Sequence, residues 1–288
     1  MSEINLVDIG NSIHKSIVVM DDMTDFFKGR RIWITGASSG IGEALAIQLA
    51  ERGAQLILSA RRVEVLESLR QRLSNPDQHQ VIVLDLAQPE MLFKQVQAHI
   101  ASGLKLDILI NNAGISQRGL AQNTALAVDR MLMEVNYLGT VAMTKAVLPA
   151  LLKEQGAIVA TVASVAGLVG SQGRSSYSAT KHALMGFMES LRAELYTHGV
   201  QVTVACPGWV KTQISINALD EVGAPLGTMD PTIAQGIPAE LCAAQFLNAI
   251  EKGKAQVVIG RGFSVLAPII KRFFPGWYRR INSKQVYR

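Results

Sequence analysis

Cysteine is nearly absent. The 288 residues include two, Cys206 and Cys242, and neither sits in a CxxC or in a Cys/His pair at metal-ligand spacing. That excludes a disulfide framework and a zinc module, and it fits a reducing compartment. Long hydrophobic runs are also missing, since nothing approaches the ~18–20 apolar residues that a bilayer-spanning helix needs. The first residues are acidic and polar where a signal peptide would be basic and then apolar, so the chain is expected to be cytoplasmic. Charged residues are sparse at 18% against 49% apolar, a globular balance that excludes a disordered or collagen-like chain.

Acidic residues are absent from one stretch in particular. Six of the 28 basic residues and none of the 23 acidic ones lie between Lys271 and Arg288. The body therefore carries 22 basic against 23 acidic residues, and the formal charge of +5 belongs to the tail. A general nucleic-acid surface is not supported on that count.

What is present is a regular alternation of short apolar runs with longer amphipathic stretches. Strands are expected at Arg31 to Thr35, Gln55 to Ser59, Gln80 to Asp85, Asp107 to Ile110, Ala157 to Val162, Val200 to Ala205 and Gln256 to Ile259. Helices are expected between them, including a long one over Ala121 to Leu152 that breaks near Tyr137-Leu138-Gly139 or Pro149, and another over Tyr177 to Thr197. Strands that are apolar throughout and separated by helices imply a parallel sheet covered on both faces. The reading is α/β: a single doubly wound Rossmann domain over residues 28–260 with a seven-stranded sheet. Residues 1–27 form an N-terminal extension and 261–288 a basic amphipathic tail. A TIM barrel competes on periodicity alone.

The first turn decides against the barrel. After the first strand runs Thr35-Gly-Ala-Ser-Ser-Gly-Ile-Gly42, a GxxxGxG spacing that opens a helix. Gly36, Gly40 and Gly42 let the backbone turn tightly and approach a pyrophosphate, while Ser38, Ser39 and Ile41 offer backbone N–H groups at a helix N-terminus. At the end of the second strand an NAD site would carry an acid for the ribose hydroxyls. Here the chain reads Ser59-Ala60-Arg61-Arg62. Guanidinium groups at Arg61 and Arg62 suit a 2′-phosphate through charge-assisted hydrogen bonds, so NADP(H) is the expected cofactor. No metal site is expected.

Tyr177-Ser-Ala-Thr-Lys181 puts a phenol and an ammonium one helical turn apart. Such a pair is common by chance, but here it follows the fifth strand by a short loop containing Ser164. With those elements the chain resembles the short-chain dehydrogenase/reductase family. The likeness rests on the TGxxxGxG turn, on Asn111-Asn112-Ala113-Gly114 after the fourth strand, and on Asn136, Ser164, Tyr177 and Lys181. It extends to Pro207-Gly208 after the sixth strand, with Thr212 nearby, and covers about Lys28 to Gly260.

The resemblance implies an oxidoreductase that moves hydride between a nicotinamide and a carbonyl or secondary alcohol. A free phenol ionises near ~10, so proton transfer at neutrality asks for a neighbour that favours the phenolate. Tyr177 would be the general acid/base and Lys181 that neighbour, also holding the nicotinamide ribose. Ser164 would hydrogen-bond the substrate oxygen, and Asn136 would hold a relay water or simply kink its helix. Asp85 and Leu86 would meet the adenine, Asn112, Ala113 and Gly114 would lie under the cofactor, and Pro207, Gly208, Val210 and Thr212 would flank the carboxamide.

Residues 208–237 have the placement of the family's substrate lid, and their sparse charge points to an apolar substrate such as a steroid, retinoid or lipid-like carbonyl. Alternatives are a 3-oxoacyl-carrier-protein reductase and a catalytically idle NADP-binding scaffold. The resemblance also implies a homodimer or homotetramer. In the tail, apolar residues recur at roughly helical spacing among basic ones, which suits docking on the body, on a partner subunit, or peripherally on an anionic membrane surface.

Overall fold

The computed structural model describes residues 26–284. The N-terminal extension expected over 1–27 therefore lies outside the described residues except for Phe26 and Phe27, as do the last four residues of the tail.

The β strands are β1 (Arg31–Thr35), β2 (Gln55–Ser59), β3 (Gln80–Val81), β4 (Ile108–Asn111), β5 (Ile158–Val162), β6 (Gln201–Pro207), β7 (Val210–Lys211), β8 (Ile237–Pro238) and β9 (Gln256–Ile259). Seven of them form one sheet in the order β3-β2-β1-β4-β5-β6-β9, with every pairing parallel. The short β7 and β8 pair apart from it. The seven-stranded parallel sheet is the Rossmann architecture. Successive strands run outward from β1 to β3 on one side and from β4 to β9 on the other, so the order reverses between β1 and β4. A ligand crevice opens at such a switch, beyond the carboxyl ends of the strands.

Edge strand β3 is shorter than its apolar run Gln80 to Asp85 suggests. A regular ladder forms only at Gln80–Val81, yet Ile82 and Leu84 still donate backbone hydrogen bonds to Leu58 and Ala60 (3.1 and 3.2 Å). An edge strand has a partner on one side only, so little stops its last residues from turning toward the crevice.

The larger helices are α1 (Gly40–Glu51), α2 (Val63–Arg72), α3 (Pro89–Ala101), α4 (Leu126–Met133), α5 (Gly139–Leu151), α6 (Ser175–Glu194), α7 (Pro231–Ala234), α8 (Ala239–Glu251), α9 (Phe263–Phe273) and α10 (Pro275–Lys284). Helices α1, α2 and α8 cover one face of the sheet, burying Leu45, Leu49, Leu66 and Phe246. Helices α3, α5 and α6 cover the other, burying Val96, Met143, Val147 and Met188 with Trp33. Apolar side chains leave both faces of each central strand, which is why those strands read as continuous apolar runs.

The long helical region begins at Leu126 and runs on past Tyr137 through a π turn over Glu134–Leu138 rather than breaking there. Pro149 stays inside α5, near its end, and does not break it. Gly139 begins α5 where the helix comes against the loop after β3. A Cβ at Gly139 would lie 2.8 Å from Leu86 Cβ and 2.5 Å from its carbonyl oxygen, so only glycine allows this approach.

Candidate active site

The carboxyl ends of β1, β2, β4, β5 and β6 open onto one cleft of about 670 Å³. At its nucleotide end, Gly36 and Gly40 have φ of +67° and +59°. A Cβ on Gly36 would meet the Ala113 Cα at 2.7 Å, and one on Gly40 the Thr212 side chain at 3.1 Å. Ser39 precedes α1 without making a side-chain cap. The first-turn N–H groups of α1 are thus left for an anion rather than satisfied by the chain, which fits a pyrophosphate.

Gly36, Ser38, Ser39, Gly40 and Ile41 line the cleft, as do Arg61, Arg62, Asp85 and Leu86. Arg61 and Arg62 are exposed at the end of β2, and Arg62 Nη2 donates to Ser38 Oγ at 3.3 Å. The two arginines and the serine therefore stand together at one corner. Asp85 Oδ1 accepts from the Ala87 N–H at 3.0 Å, a turn-forming bond just before α3.

Gly42 does not reach the cleft wall. A Cβ there would lie 2.5 Å from Asn112 Nδ2 and 2.9 Å from the Gly36 carbonyl carbon. It is needed for the close seating of α1 against the turn. Asn112 lines the cleft with Ala113 and Gly114, but its amide is committed elsewhere: Nδ2 donates to the carbonyls of Thr35 and Gly36, both at 3.1 Å. Thr35 Oγ1 in turn accepts from the N–H groups of Asn112 and Ala113. Asn111 pairs with Thr161 of β5 through its backbone, and its side-chain amide ties β4 to α5 by donating to Thr144 Oγ1 (2.9 Å).

The central part of the cleft brings Ser164, Tyr177 and Lys181 together. Lys181 Nζ lies 5.9 Å from the Tyr177 ring centroid, a consequence of their spacing by one turn on α6. The ammonium donates to the Val162 carbonyl at 3.1 Å. Burial pushes the Lys181 pKa below that of an ordinary lysine, and the nearby Tyr177 phenol and Cys206 thiol oppose that shift. The Cys206 thiol is itself buried and pushed up to about 12, so it stays protonated.

Ser164 caps the turn that follows β5, accepting from the Ala166 N–H at 3.1 Å and donating to the Pro207 carbonyl at 3.3 Å. The second bond is long, so the hydroxyl can exchange it for a substrate oxygen at little cost.

Asn136 is fully buried behind this wall, not on it. The π turn aims its carboxamide at the loop after β4. Oδ1 accepts from the Ile115 N–H (2.8 Å), while Nδ2 donates to the Ile115 carbonyl (2.9 Å) and to Thr180 Oγ1 (3.1 Å). One side chain thereby joins the β4 loop to α6. Its Oδ1 also lies 3.1 Å from where a Cβ on Gly114 would stand, and Lys181 Nζ is 3.6 Å from the same point.

Pro207, Gly208, Val210 and Thr212 close the far side. The segment expected as a lid is strapped to the β4 loop. Leu219 exchanges backbone hydrogen bonds with Ser116 and Arg118, Glu221 accepts from the Leu120 N–H, and Arg118 forms an ion pair with Asp230 at 2.9 Å. Asp230 also caps α7.

A matching family model now decides the affiliation: the short chain dehydrogenase family matches residues 30–222. The chain belongs to the short-chain dehydrogenase/reductase family. Among curated relatives, mouse "Dehydrogenase/reductase SDR family member 7B" is 37% identical over 266 residues, covering 90% of this chain and 82% of that one. Among solved structures, a short chain dehydrogenase from Burkholderia cenocepacia in complex with NADP has a TM-score of 0.73 at 26% identity, covering 88% of this chain and 98% of the other. One from Burkholderia phymatum in complex with NAD has a TM-score of 0.74 at 24% identity, covering 91% and 97%, and shares the fold. This short-chain dehydrogenase/reductase is thus an oxidoreductase with a Rossmann site for a nicotinamide cofactor.

The substrate half of the cleft was not legible in the motifs. Ile115, Met131, Val135, Ile214, Leu219 and Ile233 line it, with Arg118 and Arg174 as its cationic members. These residues come from loops and helix ends without a fixed spacing. Arg174 sits at the start of α6 with its guanidinium 5.8 Å from the Tyr177 ring centroid.

Proposed function

We propose that the protein is an NADP(H)-dependent carbonyl reductase and alcohol dehydrogenase acting on an apolar, lipid-like substrate. The observation that carries this reading is the convergence of Ser164, Tyr177 and Lys181 on one cleft whose other end presents Arg61 and Arg62. A nicotinamide dinucleotide with its pyrophosphate at the glycine turn and its nicotinamide beside Tyr177 and Lys181 would supply hydride to the carbonyl carbon in reduction and accept it in oxidation. Tyr177 gives its hydroxyl proton to the substrate oxygen as charge develops there, and Ser164 hydrogen-bonds the same oxygen. The buried ammonium of Lys181 favours the phenolate left behind, because opposite charges attract strongly where water is excluded. Asn136 holds the β4 loop and α6 in register.

The preference for NADP(H) is supported by two guanidinium groups where an acid would repel a 2′-phosphate. The apolar substrate class is supported by the six apolar side chains of the substrate half.

The test is oxidation of NADPH and of NADH over a panel of apolar ketones, aldehydes and acyl thioesters, with wild type and Tyr177→Phe. NADPH should be the better donor, and the variant should lose about a hundredfold or more in kcat while still binding NADPH. Retained turnover in Tyr177→Phe refutes the proton-transfer role. Tight NADPH binding with no turnover on any class would favour the idle scaffold.

A further inference from the structure

The basic tail folds into two short helices, α9 and α10, joined at Phe274. The side of α9 facing the body is settled by its contacts. Ser264 and Ala267 are buried, Ala267 packs against Val165 and Val169, and Lys271 Nζ donates to the Leu168 carbonyl at 2.7 Å. From α10, the Tyr278 hydroxyl donates to the Gly170 carbonyl at 2.6 Å. The tail is thus docked on the segment that leads from Ser164 toward Tyr177.

Its outward side is apolar as well. Leu266, Ile269 and Phe273 each follow a body-facing residue by two positions, which at 3.6 residues per turn places them about 200° around the helix. They are 52%, 53% and 71% exposed, and Phe274 and Trp277 beside them are 61% and 56% exposed. Docking on the body therefore accounts for one face of the hairpin and leaves five large apolar side chains in water. The same stretch carries Arg272, Arg279, Arg280 and Lys284, all exposed, and contains no acid.

We propose that this face of the α9–α10 hairpin is a docking surface for an anionic phospholipid bilayer, lying in the interface plane with its aromatic side chains inserted and its basic ones at the headgroups. Charge complementarity selects this occupant. A surface with several cations and no acid repels a second copy of itself, whereas an anionic bilayer attracts each cation and takes up the apolar side chains. Trp277 and Phe273 suit the interface because aromatic rings partition to headgroup depth. No described helix is long and apolar enough to cross a membrane, so the contact is peripheral.

The test is co-sedimentation of the full chain with vesicles of phosphatidylcholine alone or doped with phosphatidylglycerol. Point variants are needed because removing the hairpin would uncover Val165, Val169 and Gly208. Wild type should bind the doped vesicles, bind the neutral ones weakly, and release as salt rises. Phe273→Ser with Trp277→Ser, and separately Arg279→Glu with Arg280→Glu, should each weaken binding about tenfold or more while keeping the wild-type melting temperature. Wild type that ignores both vesicles, or variants that bind as well as wild type, would overturn the proposal. So would self-association lost in the Phe273/Trp277 variant without any vesicle binding, which would assign the face to a second copy of the chain.

Discussion

Gly208 and Ser264 are in direct register: a Cβ on Gly208 would lie 2.6 Å from the Cβ of Ser264. The loop that closes the far side of the cleft and the first turn of the tail helix α9 therefore share one contact with no spare volume. The Gly208 N–H also donates to the Ile259 carbonyl at 2.8 Å, fixing the loop to the end of β9. Gly208→Ala must push α9 outward. A loss of about 1–3 kcal/mol of stability is expected from such overpacking, with weaker cofactor binding, measured by denaturant melts and by NADPH titration. Ser264→Gly should restore both when combined with it, since it removes the obstructing side chain.

Arg61→Asp and Arg62→Asp should weaken NADPH binding and spare NADH. Each removes a cation from the corner shared with Ser38 and puts an anion in its place. A charge-assisted bond is worth about 1.5–3 kcal/mol, so the NADPH/NADH preference should fall by at least about tenfold per substitution. Equal loss for both cofactors, read from fluorescence titrations, would show that the arginines do not read the phosphate.

Asn136→Ala is expected to be a stability variant as well as an activity variant. It strands the Ile115 N–H and carbonyl, which Asn136 satisfies at 2.8 and 2.9 Å. An unsatisfied group costs about 1–3 kcal/mol when fully buried, and the two left here are part-buried, so a loss of about 1–2 kcal/mol in total is expected. Urea unfolding should show the loss with and without cofactor. Unchanged stability with abolished turnover would instead favour a purely chemical role for the side chain.

Lys181→Met should abolish turnover yet stabilise the fold by about 1 kcal/mol near neutral pH. Burial lowers the Lys181 pKa, so the folded protein gives up the proton at a pH where the unfolded chain, near 10.5, still keeps it. Below the folded pKa the ammonium is buried at full cost. As pH rises from the folded pKa to 10.5 the unfolded state binds more protons, and native stability rises. The gap between variant and wild type should therefore be widest near neutrality and close as pH approaches 10.5. Thermal melts of both proteins across that range would check it.

His79 makes a prediction of the same sign on the acid side. Its Nδ1 accepts from the Leu56 N–H at 3.1 Å and its Nε2 faces the Ser74 carbonyl at 2.8 Å, so the neutral ring with the proton on Nε2 satisfies both. Burial lowers its pKa below 6.5, while hydrogen bonding to Ser74 opposes that shift and the Arg70 charge adds to it. As pH falls through 6.5 the unfolded chain takes a proton that the folded one resists, so stability is lost between 6.5 and the lower folded pKa. His79→Gln should flatten the melting temperature between pH 7.5 and 5 relative to wild type.

The sequence by itself determined whatever depends on neighbours in the chain. The apolar runs that became β1, β2, β4, β5, β6 and β9, the glycine turn, and the one-turn spacing of Tyr177 and Lys181 are all local patterns that a helix or strand converts directly into geometry. It also located the basic charge in the tail. Tertiary structure decided which polar side chains face the cleft. Gly42 and Asn136 belong to the same motifs as Gly36 and Tyr177, yet they are turned inward, one by the seating of α1 and the other by a π turn that no spacing rule announces. Ile115 and Arg118 reach the cleft from a loop held by the segment around Leu219 and Asp230, about a hundred residues away, and Arg174 reaches it from the start of α6, where it pairs with Gly119 of that loop. Long-range packing has no signature in a local window. The tail shows both kinds of information: its amphipathic spacing was written in the chain, but that its two opposite sides divide between the protein body and open water is a result of how α9 docks.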